Sequence, residues 1–459
     1  MFKWLFGKSS KKPAPKGFAA AQAEDLLNSS SQQGVPPVAE PGFSTRSVHA
    51  GAKPDPTTHA RITPIYQTAS YVFDNTDHAA NLFGLKEFGN IYSRIMNPTN
   101  DVLEQRVAAL EGGAAALAVG SGHAAQHLAL YTLLNPGDEV VAARQLYGGT
   151  VNQFNHAFKK YGWGVQWADA TKPETFKAAI NDKTKAIFVE SIANPGGIIT
   201  DLEPIAKIAH DAGIPLIVDN TLATPYLIRP IEWGADIVLH SATKFLGGHG
   251  NSIAGIIVDS GKFNWNNGKF PTITEPNGSY HGLKIWDTFG AISFILATRV
   301  LGLRDLGPAL SPFNAFLVLT GIETLPLRIQ KHSDNAQEVA TWLQKHPAVS
   351  WVNYAGLPGN PSYALARKYS PKGAGSVFTF GVKGGFEAGK KLVNSVKLFS
   401  HLANVGDTRS LIIHPASTTH SQLSKQELLE AGATEDTVRL SVGIEDAADI
   451  IADLEQGLA

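Results

Sequence analysis

The chain has 459 residues, 43% of them hydrophobic and 17% charged, with 39 basic and 40 acidic side chains and a net charge of −1. That length holds roughly two to four domains with buried cores, and the charge balance gives no electrostatic ground for nucleic acid or an anionic membrane as main partner. Cysteine is absent, which excludes disulfides, thiolate zinc sites, iron–sulfur ligation and cysteine nucleophiles together.

Residues 1–41 read as a disordered, basic and Ser/Pro-rich extension. Lys3, Lys8, Lys11, Lys12 and Lys16 precede the first acid, Glu24, and a Ser/Gln stretch at 29–34 leads into Pro36-Pro37. Phe2, Trp4, Leu5 and Phe6 offer the competing reading of a membrane-surface segment, but the apolar stretch is too short for a signal core. From 112 to about 259, short apolar runs alternate with helix-length segments. The runs 114–119, 139–143, 165–168, 186–190, 216–219, 237–240 and 253–258 read as buried strands bounded by turns. Between them 149–160, 173–180 and 202–211 read as helices, the last closed by Gly213. This alternation predicts an α/β fold, a mostly parallel sheet flanked by helices, with ligands at the carboxyl ends of its strands. The apolar run 291–300 is far short of the ~20 residues of a membrane helix and contains Arg299.

Beyond about residue 300 the pattern changes. A helical stretch over 312–346 contains Pro326 and is expected to kink or break there. Strands at 376–382, 410–413 and 437–442, with helices at 387–396, 424–431 and from Asp446, predict a smaller C-terminal α+β domain. The expected division is 101–300 for the α/β domain and 301–459 for the second.

Three strand ends carry candidate chemistry. Val119-Gly120-Ser121-Gly122-His123 runs from a strand through a glycine turn into a helix, whose first N–H groups suit an anion such as phosphate. Many α/β turns need glycine for geometry alone, so this turn is weak evidence by itself. Asp219 closes the apolar strand Leu216-Ile217-Val218, where burying its charge demands a cation or hydrogen-bond donor; a turn acid or helix cap is the plainer reading. Lys244 follows Ser241-Ala242-Thr243 and precedes Gly247-Gly248. A solvated lysine is its plain reading, yet desolvation there would lower the ammonium pKa and free the amine for imine formation. Together, an anion turn, a strand-end carboxylate and a lysine 25 residues later match what pyridoxal 5'-phosphate requires. The phosphate sits on the helix start, the carboxylate keeps the pyridine nitrogen protonated, and the lysine holds the aldehyde carbon as a Schiff base.

Ser241-Ala242-Thr243-Lys244-Phe245 resembles the lysine signature of the Cys/Met-metabolism family of fold-type I PLP-dependent transferases. The resemblance extends over about 45–459, with Tyr147-Gly148-Gly149-Thr150 and Glu190-Ser191-Ile192-Ala193-Asn194-Pro195 in matching order. Asn90-Ile91-Tyr92-Ser93-Arg94-Ile95-Met96-Asn97-Pro98-Thr99 and the stretch from Gly406-Asp407-Thr408-Arg409 to His420 resemble its O-acetylhomoserine sulfhydrylase branch. The resemblance implies that Lys244 forms the Schiff base and shuttles protons, Asp219 pairs with the pyridinium, Asn194 bonds the ring oxygen, and Tyr147 stacks on the ring and assists as an acid or base near the substrate amine. It implies phosphate binding by the backbone of Gly122 and His123 and the hydroxyls of Ser241 and Thr243. Tyr92 and Arg94 would reach the cofactor phosphate of a neighbouring subunit from an arm over 42–100, which implies a homotetramer built as a dimer of dimers. Arg439 would clamp the substrate α-carboxylate, with help near Ser410, and Asn152 would face the distal end of the substrate. His123 stands where that branch leads one to expect glutamine. The histidines lack HExxH or other metal spacing, so no metal is expected.

The fold does not choose among eliminations and replacements. Methionine γ-lyases carry cysteine where this chain has Gly149, and cystathionine-forming relatives carry arginine near Asn152. Asn152 supplies no charge for a distal carboxylate, so a neutral acetyl ester and a small sulfur nucleophile fit better. The resemblance therefore implies γ-replacement on O-acetyl-L-homoserine by sulfide or methanethiol, giving homocysteine or methionine and acetate in the cytoplasm. Methionine γ-lyase or cystathionine γ-synthase-like activity is the alternative. A non-catalytic scaffold is a further contrast, and a nicotinamide dehydrogenase is disfavoured because no GxGxxG follows a strand.

Overall fold

The structure is a computed structural model that describes residues 41–419, 421 and 432–459. The reading of 1–40 and the helix expected at 424–431 lie outside the described residues. Seven strands form the larger sheet: β1 (Ala115–Val119), β2 (Glu139–Ala143), β3 (Gly164–Ala168), β4 (Thr184–Glu190), β5 (Leu216–Asp219), β6 (Ile237–Ser241) and β7 (Gly255–Asp259). Their order is β1-β7-β6-β5-β4-β2-β3. β7 runs antiparallel to both neighbours, and the remaining pairs are parallel.

The central strands are apolar over most of their length because helices cover both faces. Val218, Val238, Ile257 and Phe188 are fully buried. The covering helices show the expected local logic. In Leu202–Asp211 the buried side chains Leu202, Ile205, Ala206 and Ala209 fall at helical spacing, and Gly213 at φ 65° ends the turn. Pro98–Glu111 starts with Asn97 accepting from Thr99 N at 3.0 Å and stops at Gly112.

The second sheet contains β8 (Val349–Asn353), β9 (Val377–Val382), β10 (Ser400–His401), β11 (Leu411–Ile413) and β12 (Thr437–Ser441), in the order β10-β11-β12-β9-β8. It is antiparallel except for β10 with β11. The terminal helix Ala447–Leu458 and the helix Gly385–Ser395 pack together beside it.

Two expected helices differ in detail. The segment 149–160 is not one α-helix. Gly148–Asn152 passes into a π-turn over Gln153–Ala157 and a 3₁₀ turn over Phe158–Tyr161. The wide turn lets Phe154 and Phe158 stack at 4.5 Å with both rings buried. The stretch 312–346 is two helices, Pro312–Glu323 and Leu325–Leu343. Pro326 sits in the first turn of the second, where its missing N–H has no intrahelical acceptor to lose. The short strands β8 and β10 have no sequence counterpart in the expected elements.

No helix among the described residues is long and apolar enough to cross a membrane.

Candidate active site

A cavity of about 230 Å³ opens at the carboxyl ends of the parallel strands and reaches across to the second sheet. Its base depends on a missing side chain. Gly255, in β7, stands between Val119 at the end of β1 and Ser241 at the end of β6. A Cβ on Gly255 would fall 2.0 Å from Ser121 O, so only glycine lets the β1 turn fold across it. Gly122 then comes so close to Ser241 that its own Cβ would stand 2.7 Å from the Ser241 Cβ. The helix Gly122–Leu133 begins here, and Ser121 Oγ caps it by accepting from Ala124 N at 3.1 Å. The first-turn N–H groups of Gly122 and His123 have no place in the helix ladder and suit an anion.

β4 and β5 end side by side, so Glu190 and Asp219 are register partners at the cavity wall. Thr221 N and Oγ1 donate to Asp219 Oδ1 at 2.9 and 2.5 Å, and Ser241 N donates to Thr221 Oγ1 at 2.8 Å, linking the two strand ends. Burial raises the Asp219 pKa, against the Thr221 hydrogen bonds and the fields of His240 and His123. Glu190 is pushed well above the ordinary carboxylate range by burial and by Asp219. Its oxygens accept from Tyr147 N at 2.6 Å and Asn194 N at 3.1 Å, so one carboxyl holds the backbone beneath two other site residues. Tyr147 lies edge-on to His123, ring centroids 6.0 Å apart. A Cβ on Gly149 would meet the Tyr147 ring at 2.5 Å, which gives this glycine a packing reason of its own.

Lys244 projects into the same cavity from the turn after β6. Burial lowers its pKa, and the nearby Arg439 guanidinium adds to the effect. Its Nζ donates to Asn404 Oδ1. Arg439 enters from β12, where burial lowers its pKa to about 10. Its Nη1 donates to Asn194 Oδ1 at 3.3 Å and its Nη2 to Asn404 O at 3.1 Å.

Gly122, His123, Tyr147, Asn194, Asp219, Ser241, Thr243, Lys244 and Arg439 thus line one cavity. Tyr92, Arg94, Asn152 and Ser410 stand outside its lining. Tyr92 and Arg94 are exposed and pair as a cation over a ring at 5.3 Å. Asn152 is exposed at the end of its helix. Ser410 is fully buried, donating to Glu445 Oε2 at 3.0 Å and accepting from Gly443 N at 2.9 Å. Sequence reasoning assigned no role to Asn404, Glu190 or Thr221, which line the cavity and bond its other residues. Glu190 offered a signal, a charged residue closing an apolar strand; Asn404 offered none.

These groups fit pyridoxal phosphate. The turn supplies free N–H donors for the phosphate, and among the described residues no donor meets Asp219 Oδ2, which leaves it open to a ring N–H. The buried amine of Lys244 suits aldehyde capture.

Residues 44–459 match the family described as Cys/Met metabolism PLP-dependent enzyme. The chain is 56% identical to the O-acetyl-L-homoserine sulfhydrylase of Leptospira meyeri, over 90% of this chain and 96% of that one. It is 55% identical to O-acetyl-L-homoserine sulfhydrylase 1 of Thermus thermophilus, over 91% and 100%. To the homocysteine/cysteine synthase of Saccharomyces cerevisiae it is 48% identical, over 90% and 97%. Its structure is similar, at TM-score 0.88 and 42% identity over 91% and 99% of the two chains, to a crystal structure from Campylobacter jejuni. That protein is described as a putative O-acetylhomoserine (thiol)-lyase with a pyridoxyl-lysine monophosphate.

Proposed function

The chain belongs to the family of Cys/Met-metabolism PLP-dependent enzymes, and from that premise we propose that it converts O-acetyl-L-homoserine and sulfide to L-homocysteine and acetate. The observation that carries this reading is the meeting of Lys244, Asp219 and Arg439 in one cavity. The sulfhydrylase and homocysteine synthase names of its relatives support the choice of substrate.

Pyridoxal phosphate, when bound, supplies an aldehyde for the substrate amine and a ring that delocalises the electron pair left at Cα. The backbone at Gly122 and His123 holds the phosphate, with Ser241 and Thr243 beside it. Asp219 keeps a proton on the ring nitrogen, and its burial strengthens that ion pair. Asn194 would bond the ring oxygen, and Tyr147 would cover the ring face, both lining the same cavity. Arg439 orients the α-carboxylate, so that the Cα–H faces Lys244. Lys244 Nζ then takes the Cα proton and manages the proton at Cβ while acetate leaves Cγ and hydrosulfide replaces it. Its depressed pKa suits this alternation between base and acid. Asn152, exposed at the end of its helix, carries no charge, in keeping with a neutral ester rather than a second carboxylate.

The neighbour's phosphate is the proposed target of Tyr92 and Arg94, both exposed in this chain. Val72, Ile62 and Phe83 in the same arm present 97%, 61% and 59% of their surfaces to solvent, which supports a covered interface between subunits. We read the assembly as a homotetramer acting in the cytoplasm, with 42–100 as the arm.

The test is purified protein with pyridoxal phosphate and O-acetylhomoserine, assayed with sulfide, methanethiol, cysteine and no nucleophile. Homocysteine and acetate are expected with sulfide, and methionine with methanethiol. Release of 2-oxobutyrate and ammonia at equal rate without any nucleophile overturns the reading in favour of a γ-lyase.

A further inference from the structure

Asn404 engages two functional groups at once. Its side-chain Oδ1 accepts from Lys244 Nζ, 160 residues away in sequence, and its main-chain oxygen accepts from Arg439 Nη2 at 3.1 Å. It stands in the loop between β10 and β11 and lines the cavity. The other bond of Arg439 goes to the neutral Asn194 Oδ1 at 3.3 Å. Among the described residues no carboxylate pairs with this buried guanidinium. Two neutral oxygens are weaker partners for it than a bidentate carboxylate.

We infer that Asn404 is a positioning residue that latches the Lys244 amine whenever no covalent bond holds it, and that a carboxylate arriving at Arg439 opens the latch. The inference rests on the proposed roles of Lys244 and Arg439. An amide oxygen accepting from Nζ favours the protonated amine, which has no lone pair with which to form a bond. A carboxylate that takes Nη2 removes the tie on the Asn404 main chain, and Oδ1 withdraws with the loop. The lysine is thereby freed when a substrate-like anion is present.

The experiment follows the imine absorbance near ~420 nm after mixing cofactor-free protein with pyridoxal phosphate, in sodium butyrate or in sodium chloride of equal ionic strength. Butyrate is expected to accelerate band formation in the wild type by about fivefold, the worth of one such hydrogen bond. N404A is expected to form the band about fivefold faster than wild type in chloride and to gain nothing from butyrate. N404D, which stabilises the ammonium, is expected to be slower than wild type. A wild-type rate indifferent to butyrate overturns the inference without reliance on any variant. Equal rates for N404A and wild type, or equal acceleration of both by butyrate, overturn it as well. A wild type that forms no band overturns instead the underlying assignment of Lys244.

Discussion

The seven-stranded sheet delivers Glu190, Asp219 and Ser241 from the ends of strands buried on both faces, whereas the five-stranded sheet delivers Asn404 from a loop and Arg439 from a short antiparallel strand. The bonds differ accordingly. Asp219 is held by Thr221, two residues away. Lys244 is held by a partner 160 residues away, and Arg439 by one 35 and another 245 residues away. One side of the cavity is set by packing within the sheet, where closely packed strands leave its ends little freedom. The other side is set by how the second sheet sits against the first. On the proposed roles, cofactor chemistry is therefore concentrated on the first side and recognition of the substrate carboxylate on the second.

Substitutions can break or sharpen that division. The largest effect is expected from K244A, which removes both the proposed attachment point and the proposed proton carrier. Turnover should fall by about 10³ or more, and bound cofactor should lack the covalent imine band and be lost on dialysis more readily than from wild type. Substantial residual turnover without an added amine contradicts the role of Lys244. R439Q acts only from the second sheet. KM for O-acetylhomoserine should rise between about tenfold and a hundredfold, while cofactor affinity measured by equilibrium absorbance stays unchanged. A parallel loss of cofactor affinity would erase the proposed division.

A smaller effect belongs to the far end of the first sheet. Asp259 closes β7 fully buried, with Gly261 N donating to Oδ1 at 2.8 Å and the Ile295 backbone N–H also directed at the carboxyl. Burial raises its pKa from 3.8 to about 7. Because the folded value exceeds the unfolded one, its contribution to stability is complete below about pH 4 and is lost as pH rises through about 7. The wild type should lose up to roughly 4 kcal/mol of stability across that window from this group. D259N should flatten that part of the profile in urea unfolding at a series of pH values; an unaltered profile refutes the assignment. The smallest effect is expected at the exposed pair Lys207–Asp211, 2.7 Å apart on the outer helix. K207A should change stability by less than about 0.5 kcal/mol by the same measurement.

Much of the first sheet was legible in the sequence because a strand buried on both faces must be apolar along its whole length. β2 and β5 begin and end where the apolar runs do, and the helix Leu202–Asp211 matches its periodic segment. The second sheet was less legible. β10 has two residues, and β8, Val349-Ser350-Trp351-Val352-Asn353, is mostly half-buried, with too little contrast between buried and exposed positions to mark a period. The π-turn after Gly148 was also hidden, because stacking of Phe154 on Phe158 decides it rather than local propensity. In the site, glycine turns and charged strand ends announced themselves as local departures from an apolar pattern. Asn404 did not, since an asparagine in a polar loop is ordinary until its partner is known.

Local chemistry alone determined the α/β class, the lysine and acid at successive strand ends, and the exclusion of thiol chemistry, because each follows from residues adjacent in the chain. Tertiary structure decided that the Lys244 amine meets an amide from the second sheet, that Glu190 grips the backbone of Tyr147 and Asn194, and that Ser410 turns inward to Glu445. Those contacts join segments brought together only when two sheets pack, and no short-range pattern records which side chains will face each other there.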